Sequence, residues 1–568
     1  MHSIISRRTF VKGTAACGLL GGLGPWRPAV WALTSPGQPT VLAGTEFDLL
    51  IDQTPVNLTG RKRNALTING SLPGPLLRWR EGDTVTLRVR NRLAESTSIH
   101  WHGILLPSTM DGVPGLSFKG IEPGGLFVYQ FTVKQHGTYW YHSHSGLQEQ
   151  QGIYGPLVID PKEPEPFTYQ RDYVVMLSDW TDEDPAALMN TLKKQSDYYN
   201  RHKPTVVDFV RDVGNKGWSA SVADRLMWAK MKMNPTDLAD VSGQTYTYLL
   251  NGQPPGLNWT GLFQDGEKIR LRFINGSAMT YFDVRIPGLK MTVIAADGQP
   301  VQPVSVDEFR IAVAETYDVL IEPSAAAYTL FAQSMDRTGY ARGTLARQAG
   351  LMAPVPALDP RPWVTMDDMG MGGMDHGAMP NMAGMDHGAM GAMPMQSHPA
   401  SENNNPMVDM QAMRPLPKLD DPGLGLRDNG RRVLTYADLR STFEDPDGRD
   451  PLRTIELHLT GHMEKFAWSF NGVKFSDAEP LLLTYGERVR LVLVNDSMMS
   501  HPIHLHGLWS DLEDENGQFQ VRKHTLDMPP GTRRSYRVTA DALGRWAFHC
   551  HLLYHMEMGM FREVRVHE

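Results

Sequence analysis

Cysteine is nearly missing from this chain, with 2 among 568 residues. Two cysteines cannot build a disulfide framework or a Cys-rich zinc site. An excess of positive charge is missing too. Lys and Arg number 55 against 63 Asp and Glu, for a formal net charge of −8. That balance favours neither a nucleic acid nor an anionic membrane as partner. Beyond Ala32 there is no uninterrupted apolar run of the roughly 18 residues that a spanning helix needs, so no membrane span is expected. The abundant types are 31 Met and 20 His.

The first residues read as an address. Ser6-Arg7-Arg8-Thr9-Phe10-Val11-Lys12 has the form of a twin-arginine export motif, and a weakly apolar run from Gly13 to Gly24 follows it. Cleavage after Ala32 is expected, which places the protein in a bacterial periplasm. A lipid anchor at Cys17 is the lesser alternative, because Thr14 suits that role poorly. Removal of residues 1–32 leaves Cys550 as the one cysteine.

Most of the remainder reads as short strands between turns. Asp83–Arg90, Gly266–Asn275 and Gly486–Asn495 alternate polar and apolar residues, the pattern of a half-buried strand. Each follows an Asn-Gly pair, at Asn69-Gly70, Asn251-Gly252 and Asn471-Gly472. A repeat of this length is a duplicated domain. The fold class expected is all-β: three Greek-key sandwich domains, at 33–165, 166–350 and 431–568. A linker at 351–430 lies between the second and third. Within it, Met366 to Met413 holds 13 methionines and the duplication Met374-Asp375-His376-Gly377-Ala378-Met379 and Met385-Asp386-His387-Gly388-Ala389-Met390. It lacks core-forming residues and is expected to be flexible. Residues 184–240 carry some helical pattern, including Arg225 to Met233, and read as an insertion in the second domain.

Four His-X-His pairs stand out: His100/His102, His142/His144, His504/His506 and His549/His551. Chance predicts about one. Residues i and i+2 of a strand face the same side, so each pair offers two imidazoles to one space. Their split between the two ends of the chain predicts a multinuclear metal site at a domain interface. Cys550, inside the fourth pair, faces the other way and serves a different metal. With His501, His555 and Met560 it completes the ligand set of a blue-copper electron-transfer centre. The isolated histidines His136, His202, His458, His462 and His524 read as structural.

These motifs resemble those of the multicopper oxidases: His100-Trp101-His102-Gly103, Trp140-Tyr141-His142-Ser143-His144, His501-Pro502-Ile503-His504-Leu505-His506-Gly507, and His549-Cys550-His551 through Met560. Within that family the chain is similar to the bacterial copper-resistance protein A group, which shares Asn258-Trp259-Thr260-Gly261, Ala278 to Arg285 and Leu553 to Met560. The resemblance implies three cupredoxin-like domains and four copper ions. His501, Cys550 and His555, with Met560 axial, match the type 1 ligands. His100 and His504 match those of type 2. His102, His142, His144, His506, His549 and His551 match the type 3 pair. Asp111 matches a carboxylate that helps deliver protons. A second family carboxylate is replaced by Leu553 and Met556, with Glu557 the nearest substitute.

The implied activity is one-electron oxidation of a reductant coupled to reduction of O2 to water. Thioethers are soft ligands that select Cu(I), so the Met-rich segment points to oxidation of Cu(I) in copper defence and to additional labile copper there. Met498 and Met499 are placed to guide Cu(I), and Asp477 and Glu479 lie in a loop that relatives set near substrate copper. The alternatives are a laccase-like phenol oxidase and a copper-sequestering protein without essential turnover. A periplasmic copper carrier is an expected partner and a monomer the expected state.

Overall fold

The structure is a computed structural model and describes residues 40–371 and 395–568. The export motif, Cys17 and the duplicated Met-Asp-His-Gly-Ala-Met units lie outside the described residues. The described residues form six sheets in three sequential pairs, spanning Val41–Asp160, Arg171–Ala346 and Arg453–His567. The second and third pairs share one strand order, and the first repeats four adjacent strands of each sheet. In each, the leading strand pairs parallel with a later one: Glu46–Val56 with Thr84–Asn91, Arg171–Thr181 with Ile269–Asn275, and Arg453–His462 with Arg488–Asp496.

The repeat has a local cause. Asn69, Asn251 and Asn471 have φ of 53°, 50° and 53°, each followed by a glycine at positive φ. Asn and Gly tolerate this left-handed region, which a tight hairpin requires. Each Asn side chain then accepts from the neighbouring strand, from Leu50 N at 2.7 Å, Met176 N at 2.8 Å and His458 N at 2.7 Å. A second asparagine closes each unit. The side-chain amides of Asn91, Asn275 and Asn495 donate to Ile121 O, Ile311 O and Met528 O.

Two expectations need correction. The alternating strands of the second and third repeats are not half-exposed, for Ile269–Asn275 is buried throughout. Arg270 and Arg272 are held inside by Asp318, Glu165 and Asp172 at 2.6–3.2 Å. Arg272 also donates to Thr138 of the first sandwich. The polar positions of this strand face a neighbouring domain rather than water, and an ion-pair network makes that burial tolerable. Second, the flanks of the Met-rich stretch are packed. Met369 and Met410 are buried, Ala412 N donates to Asp496 Oδ1 at 2.7 Å, and Leu416 bridges to Thr532. The helical insertion is present as Pro185–Lys194, Val206–Lys216 and Trp218–Lys230. Asp184 caps the first of these and a Thr205/Asp208 capping box starts the second.

Candidate metal centres

The His-X-His pairs occupy equivalent strands of the first and third sandwiches. His100–His102 pairs antiparallel with Gly137–His142, setting His100 opposite His142. His501–Leu505 pairs antiparallel with Gly544–Cys550, setting His504 opposite His549 and Ile503 opposite Cys550. The corresponding strands of the second sandwich, Phe282–Arg285 and Ala327–Ser334, carry no histidine. The eight imidazoles converge between the outer sandwiches. His144 Nε2 and His506 Nε2 lie 3.3 and 3.0 Å from His549 Nε2, and His100 stacks on His506 with ring centroids 3.9 Å apart.

The outward nitrogens are held. His100 Nδ1 is 2.8 Å from Asp111 O, His504 Nδ1 2.6 Å from His524 O, and His549 Nδ1 2.9 Å from Cys550 O. His506 Nδ1 lies 2.9 Å from Asp111 Oδ2 and His142 Nδ1 2.6 Å from Glu149 Oε2. The inward atoms His100 Nε2, His142 Nε2, His504 Nε2, His102 Nδ1 and both nitrogens of His551 are buried without a hydrogen-bond partner. Burial, and then mutual repulsion, push His102, His144, His504, His506 and His551 well below the usual histidine range. His549 falls to about 3, again chiefly through burial. Neutral rings with outward N–H groups fixed and inward lone pairs unsatisfied are what metal coordination requires.

A separate donor set lies on the other side of Cys550. Its Sγ is 3.5 Å from His501 Nδ1 and 3.9 Å from His555 Nδ1, and those two nitrogens are 3.1 Å apart. Ser497 Oγ engages His501 Nε2 at 2.6 Å, and Asp240 Oδ2 engages His555 Nε2 at 2.7 Å. Trp468 stacks on His555 with ring centroids 3.9 Å apart. Met560 is fully buried, and its backbone bonds Cys550 N and His555 O. Burial raises the Cys550 thiol well above its ordinary range. Only a cation's charge would then favour the thiolate here. Both donor sets fit copper in chemical type.

Asp111, nearly fully buried, touches two of the imidazoles through its carbonyl and its carboxylate. Glu557 is exposed on the short helix Leu553–Glu557, and no contact joins it to either donor set. Sequence reasoning missed Glu149 and Asp240, which touch His142 and His555 and carry no motif. It also set His524 aside as structural. That ring lies against the cluster, with Nδ1 3.1 Å from His102 Nε2. Met498 and Met499 are buried beside His501, while Asp477 sits on a separate turn, Phe475–Asp477.

A cavity of about 700 Å³ lies beneath the helical insertion, lined among others by Met233, Met366, Met463, Asp224, Asp237 and Asp367. Asp237 is three residues from Asp240.

Multicopper oxidase family domains match residues 51–164, 171–350 and 448–568. The chain is 72% identical to copper resistance protein A of Pseudomonas syringae pv. tomato, with 100% of each chain covered. It is 69% identical to copper resistance protein A of Escherichia coli over 99% of each. Among solved structures, Fet3p, titled a multicopper oxidase that functions in iron import, matches at TM-score 0.64 and 18% identity, covering 92% of this chain and 90% of that one. That likeness concerns the fold.

Proposed function

The chain belongs to the multicopper oxidase family and is a copper-dependent oxidoreductase; from that premise we propose that it oxidises Cu(I) to Cu(II) in the periplasm, as copper defence, with O2 as acceptor. The observation that carries the choice of reductant is the cavity beneath the helical insertion. Its three methionines, Met233, Met366 and Met463, offer soft thioethers, and aspartates line it together with Lys203, Lys216, Arg225 and Lys232. It reaches to Asp237, on the loop that carries the His555 contact. The 69–72% identity to copper resistance proteins supports the same reading.

In this reading His501, Cys550, His555 and Met560 would hold a type 1 copper. His100 and His504 would hold type 2, and His102, His142, His144, His506, His549 and His551 would hold the type 3 pair. Four coppers so held would supply one-electron oxidation at the Cys550 site and reduction of O2 to two waters at the histidine cluster. The chain does the rest. Asp240 and Ser497 fix the ring planes of His555 and His501. Cys550 is joined to His549 and His551 through the main chain, and His549 Nδ1 donates back to Cys550 O, adding a hydrogen-bonded link between the sites. Asp111 holds His506 through Oδ2, and its second oxygen, Oδ1, lies 3.3 Å from His100 Nδ1, which sets the carboxylate against the cluster as its proton relay. The packed aromatic rings exclude bulk water from both sites. We place the domains at 33–165, 166–350 and 431–568, with 351–430 the linker and 1–32 the export signal.

The test is O2 uptake by copper-loaded enzyme with Cu(I) as sole reductant. Leucine at Met233, Met366 and Met463 should lower kcat/KM for Cu(I) at least tenfold and leave phenol oxidation within twofold. Equal loss on both substrates would remove the cavity from the Cu(I) route, and no copper-dependent uptake by the parent enzyme would sink the proposal.

A further inference from the structure

Sharing no residue with either donor set, a mixed cluster of imidazoles and carboxylates is buried beside the third sandwich. His458 lies on the strand Arg453–His462, and Asp496 ends the strand Arg488–Asp496. Glu402 closes the short turn Ala400–Glu402, and His398 precedes it. Both imidazoles turn Nδ1 toward one carboxylate oxygen. His398 Nδ1 is 3.0 Å and His458 Nδ1 2.7 Å from Asp496 Oδ2. Glu402 approaches from the other side, with Oε2 3.3 Å from His398 Nδ1 and Oε1 3.6 Å from His458 Nδ1. The side chains of Glu402 and Asp496 are fully buried, and that of His398 is 10% exposed.

We infer that His398, His458, Glu402 and Asp496 form a further metal site, taking a borderline divalent cation of the Zn(II) or Cu(II) class through two imidazole nitrogens and two carboxylates.

The spacing supports it. Donors about 2.1 Å from a metal stand roughly 3.0 Å apart at an octahedral edge and roughly 3.4 Å at a tetrahedral one. The four donor separations, 2.7 to 3.6 Å, bracket both values. Charge supports it as well. Once the protons of the two imidazoles are displaced, the two carboxylates leave two negative charges in a dry pocket, which one dication neutralises. Nearby groups fix the donors from behind. Ala412 N donates to Asp496 Oδ1 at 2.7 Å, Gln411 Nε2 to Glu402 Oε2 at 3.1 Å, and Glu456 Oε1 sits 3.2 Å from His458 Nε2. Such an outer shell is the usual support of a metal ligand. Glu402 Oε1 is also buried with no hydrogen-bond partner, an acceptor facing the cluster with nothing to accept from. The donors are imidazole and carboxylate with no thioether among them, so the site prefers a borderline divalent ion to Cu(I).

The competing occupant is protons. Burial alone would lower His398, but the hydrogen bonds and charges of Asp496 and Glu402 outweigh it and raise the imidazole to about 10. A cation must displace those protons, so uptake weakens as pH falls. The inference holds whichever reductant the enzyme takes. Asp496 adjoins Ser497, whose hydroxyl contacts His501, so the site borders the Cys550 centre without sharing a ligand with it.

The experiment uses copper-loaded holoenzyme, freed of loosely held metal and dialysed against Zn(II) at pH 8. Copper plus zinc should total one ion per chain more in the wild type than in His398→Gln/Glu402→Gln. Equal totals would overturn the assignment. Retention of the absorption band of the Cys550 centre shows that the variant is folded. Diffraction from zinc-soaked wild-type crystals, recorded across the zinc absorption edge, reads the site without any variant. An anomalous peak among the four side chains supports the site, and its absence overturns it.

Discussion

Asp111 serves two imidazoles at once, with His100 on its carbonyl and His506 on its carboxylate. Asp111→Asn keeps the size and removes the charge. It should leave copper content unchanged and slow O2 reduction about 10–100-fold, the usual cost of losing a partner behind a metal ligand. Turnover and copper count on one sample check this. Asp240→Asn acts at the other centre. It should leave the thiolate-to-copper absorption band in place while weakening copper retention at that site about 10–100-fold, read by chelator competition. Both carboxylates lie far in sequence from the rings they hold, Asp111 from His506 and Asp240 from His555. A motif can name the ring but not a partner 395 or 315 residues away. Asp111 was found through family resemblance alone. Glu149 and Asp240 had no such marker, and only the fold brings them to His142 and His555.

At the scale of elements, the Asn-Gly hairpins were legible because turn chemistry is local. Positive φ admits few residue types, and the three copies appear in sequence as they do in space. The alternating strands were legible as strands, but not in what they face. Polar alternation marks the side away from the sandwich core. Whether water or another domain lies there depends on assembly, as Arg270 and Arg272 show. The Met-rich stretch divides the same way. Composition alone reads 366–413 as one unit, yet the backbone polar groups and side chains of its flanks find partners in the third sandwich. Met410→Ala should therefore cost about 2–5 kcal/mol in chemical unfolding, as for other buried large-to-small changes. Met395→Ala, at a side chain 59% exposed, should change stability by less than about 0.5 kcal/mol.

Among the described residues, ten fully buried histidines are pushed below the usual range chiefly by burial, at His102, His142, His144, His501, His504, His506, His524, His549, His551 and His555. Their folded-state values lie below the unfolded value of about 6.5, so the unfolded chain binds more protons once pH drops beneath it. The contribution is present above about pH 6.5 and is lost as pH falls toward the folded values. Each ring adds a slope of up to about 1.4 kcal/mol per pH unit. Metal-free protein should lose stability steeply between pH 6.5 and 4, in unfolding curves taken across that range. Copper binds the folded form, so loading should raise the midpoint at every pH and most at the neutral end.

By itself the sequence determined the strand-rich class, the threefold repeat, the four His-X-His pairs and the position of Cys550 between two of them. Each is a matter of spacing within a few residues, where strand geometry leaves little freedom. Tertiary structure alone decided which atoms meet. It brought strands of the first and third sandwiches to one site, set Asp240 behind His555 and Glu149 behind His142, buried the flanks of the methionine stretch, and turned His398 and His458 toward one carboxylate. Glu149 and His142 are 7 residues apart, and the other contacts join residues dozens to hundreds apart. They follow from how sheets pack, which no local pattern encodes.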